Sequence, residues 1–174
     1  EALKTSGEED LLIAPRQGQA VRFSELDVRA MGRTSRGVRA IRLASGDHVI
    51  GAIKAHPETA VLTVTDNGYG KQTPVSEYRK TARGGKGVRN IICDDRNGLV
   101  ANIKGVTGNE EALLISHRGI IIRMAIKDVS KIGRNTKGVR LMRLTEGDQV
   151  KTIALITPEQ LQGQEEEDGT SSDE

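Results

Sequence analysis

The chain has 174 residues, of which 36% are apolar, 29% charged and 2% aromatic, and its formal net charge is +2. That length suits one domain, burying roughly two thirds of its unfolded surface, and with one Phe, two Tyr and no Trp the core must be Ile, Leu and Val. The single cysteine, Cys93, excludes an internal disulfide framework and is compatible with a reducing cytoplasm. The apolar runs, such as Val49 to Ile53 and Gly119 to Ile122, are all far too short to cross a bilayer. No signal-peptide pattern opens the chain, which starts at Glu1, so it reads as a cytoplasmic piece of a longer protein.

The predicted elements are all β. "VRAIRLASGDHVIGAI" holds two apolar runs around a turn at Gly46-Asp47. "VLTVTDNGYGKQT" holds two more around Asn67-Gly68, residues that tolerate positive φ in a tight hairpin. Asn97-Gly98 supplies the next turn, "LLISHRGIIIRMAI" another pair of strands, and "VRLMRLTEGDQVKTIALI" the last pair around Gly147-Asp148. No window carries an amphipathic helix of ten residues or more. After Lys151 the charge changes sign. Residues 1–151 hold 26 basic and 17 acidic side chains, a net of +9, whereas residues 152–174 hold seven acids and no Lys or Arg. Residues 157–174 read as a disordered acidic tail that could compete with an anionic partner for the basic body.

These elements repeat. Gly37, Gly87 and Gly138 lie 50 and 51 residues apart, each followed by Val and Arg. Nineteen residues before them stand Gly18, Gly68 and Gly119, and six before those Leu12, Leu62 and Leu113. Asp27, Glu77 and Asp128 share a column and are followed by Val28, Tyr78 and Val129, which read as packed strand residues. Three copies therefore span about residues 10–58, 59–109 and 110–156. Each is expected to give about four strands, the size of a propeller-like blade.

Three basic columns run through the copies: Arg33, Arg83 and Arg134; Arg36, Lys86 and Lys137; and Arg39, Arg89 and Arg140. Copies related by rotation about a disk axis place equivalent loops at one level of the rim. Nine cations there suit a curved polyanion such as duplex DNA, whose phosphates are neutralised whatever the base sequence. Gly84, Gly85 and Gly87 are expected to let backbone N–H groups approach phosphate oxygens. Val38, Val88 and Val139 are expected to be buried beside these loops. The scarcity of aromatics argues against single strands, which stack on aromatic platforms.

Other chemistry finds no support. Gly84-Gly85-Lys86-Gly87 lacks the spacing and the Ser or Thr of a phosphate-binding P-loop, and strand signals flank it on both sides. Cys93, Asp94 and Asp95 have no metal spacing, and His48, His56 and His117 fall at different repeat positions. No catalytic residue, metal ligand or cofactor is assigned. A protein-binding propeller is the alternative without DNA.

"VRAMGRTSRGVRAIRL", "NGYGKQTPVSEYRKTARGGKGV" and "IGRNTKGVRLMRL" resemble the C-terminal domain of the DNA gyrase A subunit, more than that of the topoisomerase IV A subunit, over residues 10–156. The resemblance implies a β-pinwheel of six blades, each a four-stranded antiparallel sheet, with DNA wrapped around a basic rim. It implies a role in ATP-driven negative supercoiling, with the rest of the gyrase A subunit and the gyrase B subunit as partners, and with ATP, Mg2+ and the catalytic tyrosine outside this domain. The three copies look like the last three blades. Thr81-Ala82-Arg83-Gly84-Gly85-Lys86-Gly87 matches the last five residues of the family's Gln-Arg-Arg-Gly-Gly-Lys-Gly box, in what looks like the fifth blade. A half-disk exposes sheet edges, so self-association is a further expectation.

Overall fold

The computed structural model describes residues 2–160; Glu1 and residues 161–174, most of the acidic tail, lie outside the described residues. The fold is all-β. Its strands are β1 (Asp10–Pro15), β2 (Gln19–Ser24), β3 (Val49–Lys54), β4 (Ala60–Thr65), β5 (Tyr69–Pro74), β6 (Val88–Arg89), β7 (Val100–Val106), β8 (Glu111–Ser116), β9 (Ile121–Ala125), β10 (Val139–Arg140) and β11 (Val150–Ile156). They form three antiparallel sheets in the orders β3-β1-β2-β6, β10-β5-β4-β7 and β11-β8-β9.

The hairpins form where the sequence alternates around a glycine turn. β4 and β5 pair from Ala60↔Pro74 to Val64↔Gly70, and the turn closes with the Gly68 N–H donating to the Thr65 carbonyl at 3.0 Å. Gly68 has a φ of 81°, and a Cβ there would lie 2.3 Å from the Met142 carbonyl oxygen of the next repeat. The turn thus needs glycine both for its left-handed backbone and for the close approach of a neighbouring chain segment.

Each repeat does not build its own four-stranded sheet. It supplies three strands, and the fourth comes from the Gly-Val-Arg segment of the following repeat: β6 pairs with β2 through Gln19↔Arg89 and Ala20↔Val88, and β10 pairs with β5 through Tyr69↔Arg140 and Gly70↔Val139. After β2 or β5 the chain turns through a short 3-10 segment, Glu25–Asp27 or Val75–Glu77. In the second repeat it then runs along the edge of the preceding blade before returning to its own sheet. Val28, Tyr78 and Val129 therefore close 3-10 turns rather than sitting in strands. The Gly-Val-Arg valines are not buried: Val38 and Val88 are half-buried and Val139 is 38% exposed. An added edge strand packs on one side only.

The core lies between sheets. Leu12, Ala20, Ile53, Val61, Tyr78, Ile91 and Ile103 pack the first repeat against the second, and Leu62, Val64, Leu114, Ile126, Met142 and Ile153 pack the second against the third. A buried polar chain within the second repeat lies at the first joint, where the Tyr78 hydroxyl donates to Asn90 Oδ1 at 2.5 Å and Asn90 Nδ2 donates to Thr63 Oγ1 at 3.1 Å. Burial raises the Tyr78 hydroxyl above the usual tyrosine range, so it stays a donor.

Polar groups also lock the joints in register. Arg22 donates to the Val75 carbonyl at 3.2 Å and the Tyr78 carbonyl at 3.3 Å, at the two ends of the next repeat's 3-10 segment. One repeat on, Gln72 Nε2 does the same to Ile126 at 2.6 Å and Val129 at 2.9 Å. Asp10 fixes Arg22 at 2.9 Å and Lys80 at 2.7 Å. Burial would raise the Asp10 carboxyl, but these two cations prevail and hold it below its ordinary value.

Candidate nucleic-acid interface

The basic loops are chained to one another by hydrogen bonds. The Gly84 N–H donates to the Ala40 carbonyl at 2.6 Å, and the Arg42 N–H donates back to Gly85 at 2.8 Å. One repeat later, the Ile92 N–H donates to Thr136 at 2.9 Å. The loop of each later repeat therefore lies along the segment that follows Gly-Val-Arg in the repeat before it. The three loops form one track, held by the same strand exchange that builds the sheets.

The three basic columns behave differently along this track. The first is tied into it. Arg83 donates from Nη1 to the Arg39 carbonyl at 3.2 Å and from Nε to Asp27 at 3.0 Å, while Arg134 donates from Nη1 to the Arg89 carbonyl at 2.9 Å. Arg33, with no earlier repeat among the described residues, is exposed. In the second column Arg36 and Lys86 are exposed, and Lys137 is ion-paired with Asp94. That pair, ahead of the other contacts, lowers the Asp94 carboxyl. Lys86 faces no such acid, because Ala44 stands where the next repeat has Asp94. In the third column Arg39, Arg89 and Arg140 are all exposed.

The glycines are structural in a way the sequence did not suggest. The Gly84 N–H is committed to Ala40 and cannot be offered to a phosphate. Gly87, with a φ of 77°, lies so close to β2 that a Cβ would come within 2.3 Å of the Ala20 carbonyl oxygen. Gly85 remains exposed.

Sequence reasoning passed over Arg42, Arg79, Arg96 and Arg143. All four are exposed. A groove of about 400 Å³ is lined by Tyr69, Arg96, Arg140 and Arg143 among others, and Arg79 lines a second groove with Arg83 to Gly87. Arg140 donates to the Tyr69 hydroxyl at 2.6 Å, and the Arg96 guanidinium stands 4.7 Å from the Tyr69 ring centroid. Hydrogen bonding to Arg96 and then Arg140 lowers the Tyr69 hydroxyl's pKa. Arg42 and Arg143 share a repeat column with Ile92, so a column two-thirds basic was legible. Arg96 has no such signal, since it lies in the turn after Asp94 and Asp95.

Among the described residues there is no group of His, Cys, Asp and Glu side chains suited to a metal ion, and no helix long and apolar enough to cross a membrane. Burial pushes the Cys93 thiol up to about 11, which leaves it a poor nucleophile.

The sequence profile of the family described as "DNA gyrase C-terminal domain, beta-propeller" matches residues 9–56, 59–104 and 110–157. The chain is 43% identical over 172 residues to the DNA gyrase A subunit of Staphylococcus aureus, covering 98% of this chain and 19% of that one. It is 46% identical over 157 residues to the DNA gyrase A subunit of Staphylococcus epidermidis, covering 89% and 18%. It thus spans about a fifth of the length of these relatives. A solved structure of a DNA gyrase A C-terminal domain superposes with a TM-score of 0.80 at 27% identity, covering 86% of this chain and 51% of that one. The C-terminal domain of a DNA topoisomerase IV shares the fold, with a TM-score of 0.85 at 19% identity over 95% and 53% of the two chains. With three profile matches falling on three linked blades, the chain belongs to the DNA gyrase C-terminal domain family, as part of the β-pinwheel of a gyrase A subunit.

Proposed function

We propose that this chain binds duplex DNA by its phosphates, without regard to base sequence, and serves as part of the DNA-wrapping module of a gyrase A subunit. The observation that carries this reading is the linked track of basic loops, on which Arg36, Arg39, Lys86, Arg89 and Arg140 stand exposed. Arg33, Arg83, Arg134 and Lys137 add charge along it, and Arg42, Arg79, Arg96 and Arg143 widen it. In the assembled enzyme, with the rest of the A subunit, the B subunit, ATP and Mg2+, the role is to present the transported duplex for negative supercoiling. The acidic residues beyond Lys151 compete with DNA for the track.

The test is titration of a linear duplex at rising salt. If about six cations reach phosphates, the log–log slope is roughly −5 and affinity falls about 1,000-fold between 50 and 200 mM salt. Absence of binding at low salt, or binding indifferent to salt, rejects the reading. Removing residues 159–174 tightens binding; unchanged affinity rejects the competing tail.

A further inference from the structure

One cluster of charge is not a product of the repeat. At the joint between the second and third repeats, the groove of about 400 Å³ is lined by Arg96 from one repeat and by Arg140 and Arg143 from the other, with Tyr69 and Thr145 among its walls. By repeat alignment, the first joint has Gly46, Arg89 and Ile92 in the places of the three arginines. It has Gln19 in the place of Tyr69, and Asp94 in that of Thr145. One cation with an acid has thus become three cations with two hydroxyls.

The three guanidiniums are gathered without a counter-charge. None of them is ion-paired among the described residues. Tyr69, only 5% exposed, orders two of them. Its ring centroid lies 4.7 Å from the Arg96 guanidinium and 5.2 Å from that of Arg140, within reach of cation–π attraction. Its hydroxyl accepts from Arg140 Nη2 at 2.6 Å and Nε at 3.2 Å, and its own proton meets no acceptor among the described residues. Asp148 is the one acid on the groove wall. It is buried, and its Oδ1 accepts from the Arg118 N–H at 3.2 Å and the Gln149 N–H at 2.8 Å, near its own turn. Side chains ordered in advance lose little freedom when a ligand arrives.

We propose that this groove is a phosphate-binding pocket, in which Arg96, Arg140 and Arg143 pair with the oxyanions of linked phosphates and the Tyr69 hydroxyl donates to one of them. Guanidinium forks match phosphate oxygens in geometry and stay charged at any working pH. The groove has room for more than one phosphate group, so it suits linked ones, whether of a free oligophosphate or successive along a DNA strand. The pocket does not rest on the DNA-binding reading, because the joint itself places its charges and its hydroxyl.

The test uses inorganic pyrophosphate as the probe, at about 150 mM salt so that diffuse attraction is screened. Calorimetry on the intact chain gives one site per chain. In an alkaline titration, tyrosinate absorbance near 295 nm reports Tyr69 first, because burial holds Tyr78 above the usual range. Bound pyrophosphate moves the Tyr69 ionisation to higher pH, since a neighbouring anion disfavours the phenolate. Tyr69→Phe and Arg143→Ala each weaken pyrophosphate binding by about tenfold or more, the loss of a charged hydrogen bond. Lys127→Ala removes an exposed cation of the third repeat outside the groove and leaves pyrophosphate binding unchanged. A chain that takes no pyrophosphate, a Tyr69 titration that does not move, or equal weakening by Lys127→Ala overturns the pocket, and the first two need no variant to fold. Added duplex then separates the sources. Displacement of pyrophosphate assigns the pocket to the DNA backbone, and binding of both together assigns it to a free oligophosphate. A duplex that fails to bind rejects the DNA reading and leaves the pocket standing.

Discussion

The Arg134 guanidinium donates to the Arg89 carbonyl at 2.9 Å, reaching from one basic loop to the segment before it, and Arg83 makes the same reach to Arg39. The first basic column therefore supports the track as well as charging it. Arg83→Ala and Arg134→Ala are each expected to lower stability by about 1–2 kcal/mol, the value of a charged hydrogen bond in a partly exposed site. Arg→Lys at either position keeps the charge but loses the planar fork. It should recover the salt slope of DNA binding without recovering the urea midpoint. Full recovery of both would show that the column contributes charge alone.

Arg36, Lys86 and Arg89 are exposed, and none of them makes a side-chain contact that holds the fold among the described residues. Changing each to Ala should leave stability within about 0.5 kcal/mol and reduce the salt slope by about one, equally for duplexes of any sequence. Lys137 differs because Asp94 occupies it. Asp94→Asn frees that ammonium, so DNA affinity should rise in a filter-binding titration. A fall would mean that the pair orients Lys137 for its phosphate.

Glycine, leucine and basic columns at one spacing make the repeat legible in the sequence, and turns that need Gly18, Gly68 and Gly119 do the same for the hairpins. The pairing of Val88–Arg89 with β2 is not legible there. Local pattern marks a strand but not its partner, and here the partner lies in the preceding repeat, nearly 70 residues away. For the same reason Arg83 and Lys86 look alike in sequence, although one reaches two carbonyls and the other faces solvent. Nor does the sequence reveal that Lys71, a charged residue in a hairpin strand, is fully buried. The carbonyls that receive it belong to the next repeat.

The exchanged strand also predicts a contrast between equivalent glycines. A Cβ at Gly87 would meet the Ala20 carbonyl oxygen at 2.3 Å, and one at Gly138 would meet that of Gly70 at 2.7 Å, whereas Gly37 has open space. All three carry the left-handed backbone, which costs an L-residue about 1–2 kcal/mol. Gly37→Ala should lose only that amount in a urea melt. Gly87→Ala and Gly138→Ala should lose clearly more, since backbone carbonyls cannot swing aside. Equal losses at all three positions would count against the strand exchange.

Lys71 gives a pH test of the second joint. Its Nζ donates to the Gly133 carbonyl at 2.6 Å and the Arg134 carbonyl at 3.1 Å, tying β5 to the next repeat's basic loop. Its pKa is lowered from 10.5 to about 8, first of all by burial and also by the nearby Arg134 charge, against the pull of Glu77. Between about pH 8 and 10.5 the unfolded chain therefore binds more protons at this site than the folded one, and stability contributed by Lys71 rises with pH. Below pH 8 both states are protonated and the full cost of the buried charge is present. The neutral amine keeps two N–H donors for the two carbonyls, so the hydrogen bonds survive the titration. Stability of the intact chain relative to Lys71→Met should accordingly increase across this window, by up to about 3 kcal/mol, when thermal melts of the two are compared at each pH. A difference that is flat or falls would place the ammonium in a solvated environment and remove Lys71 from the joint.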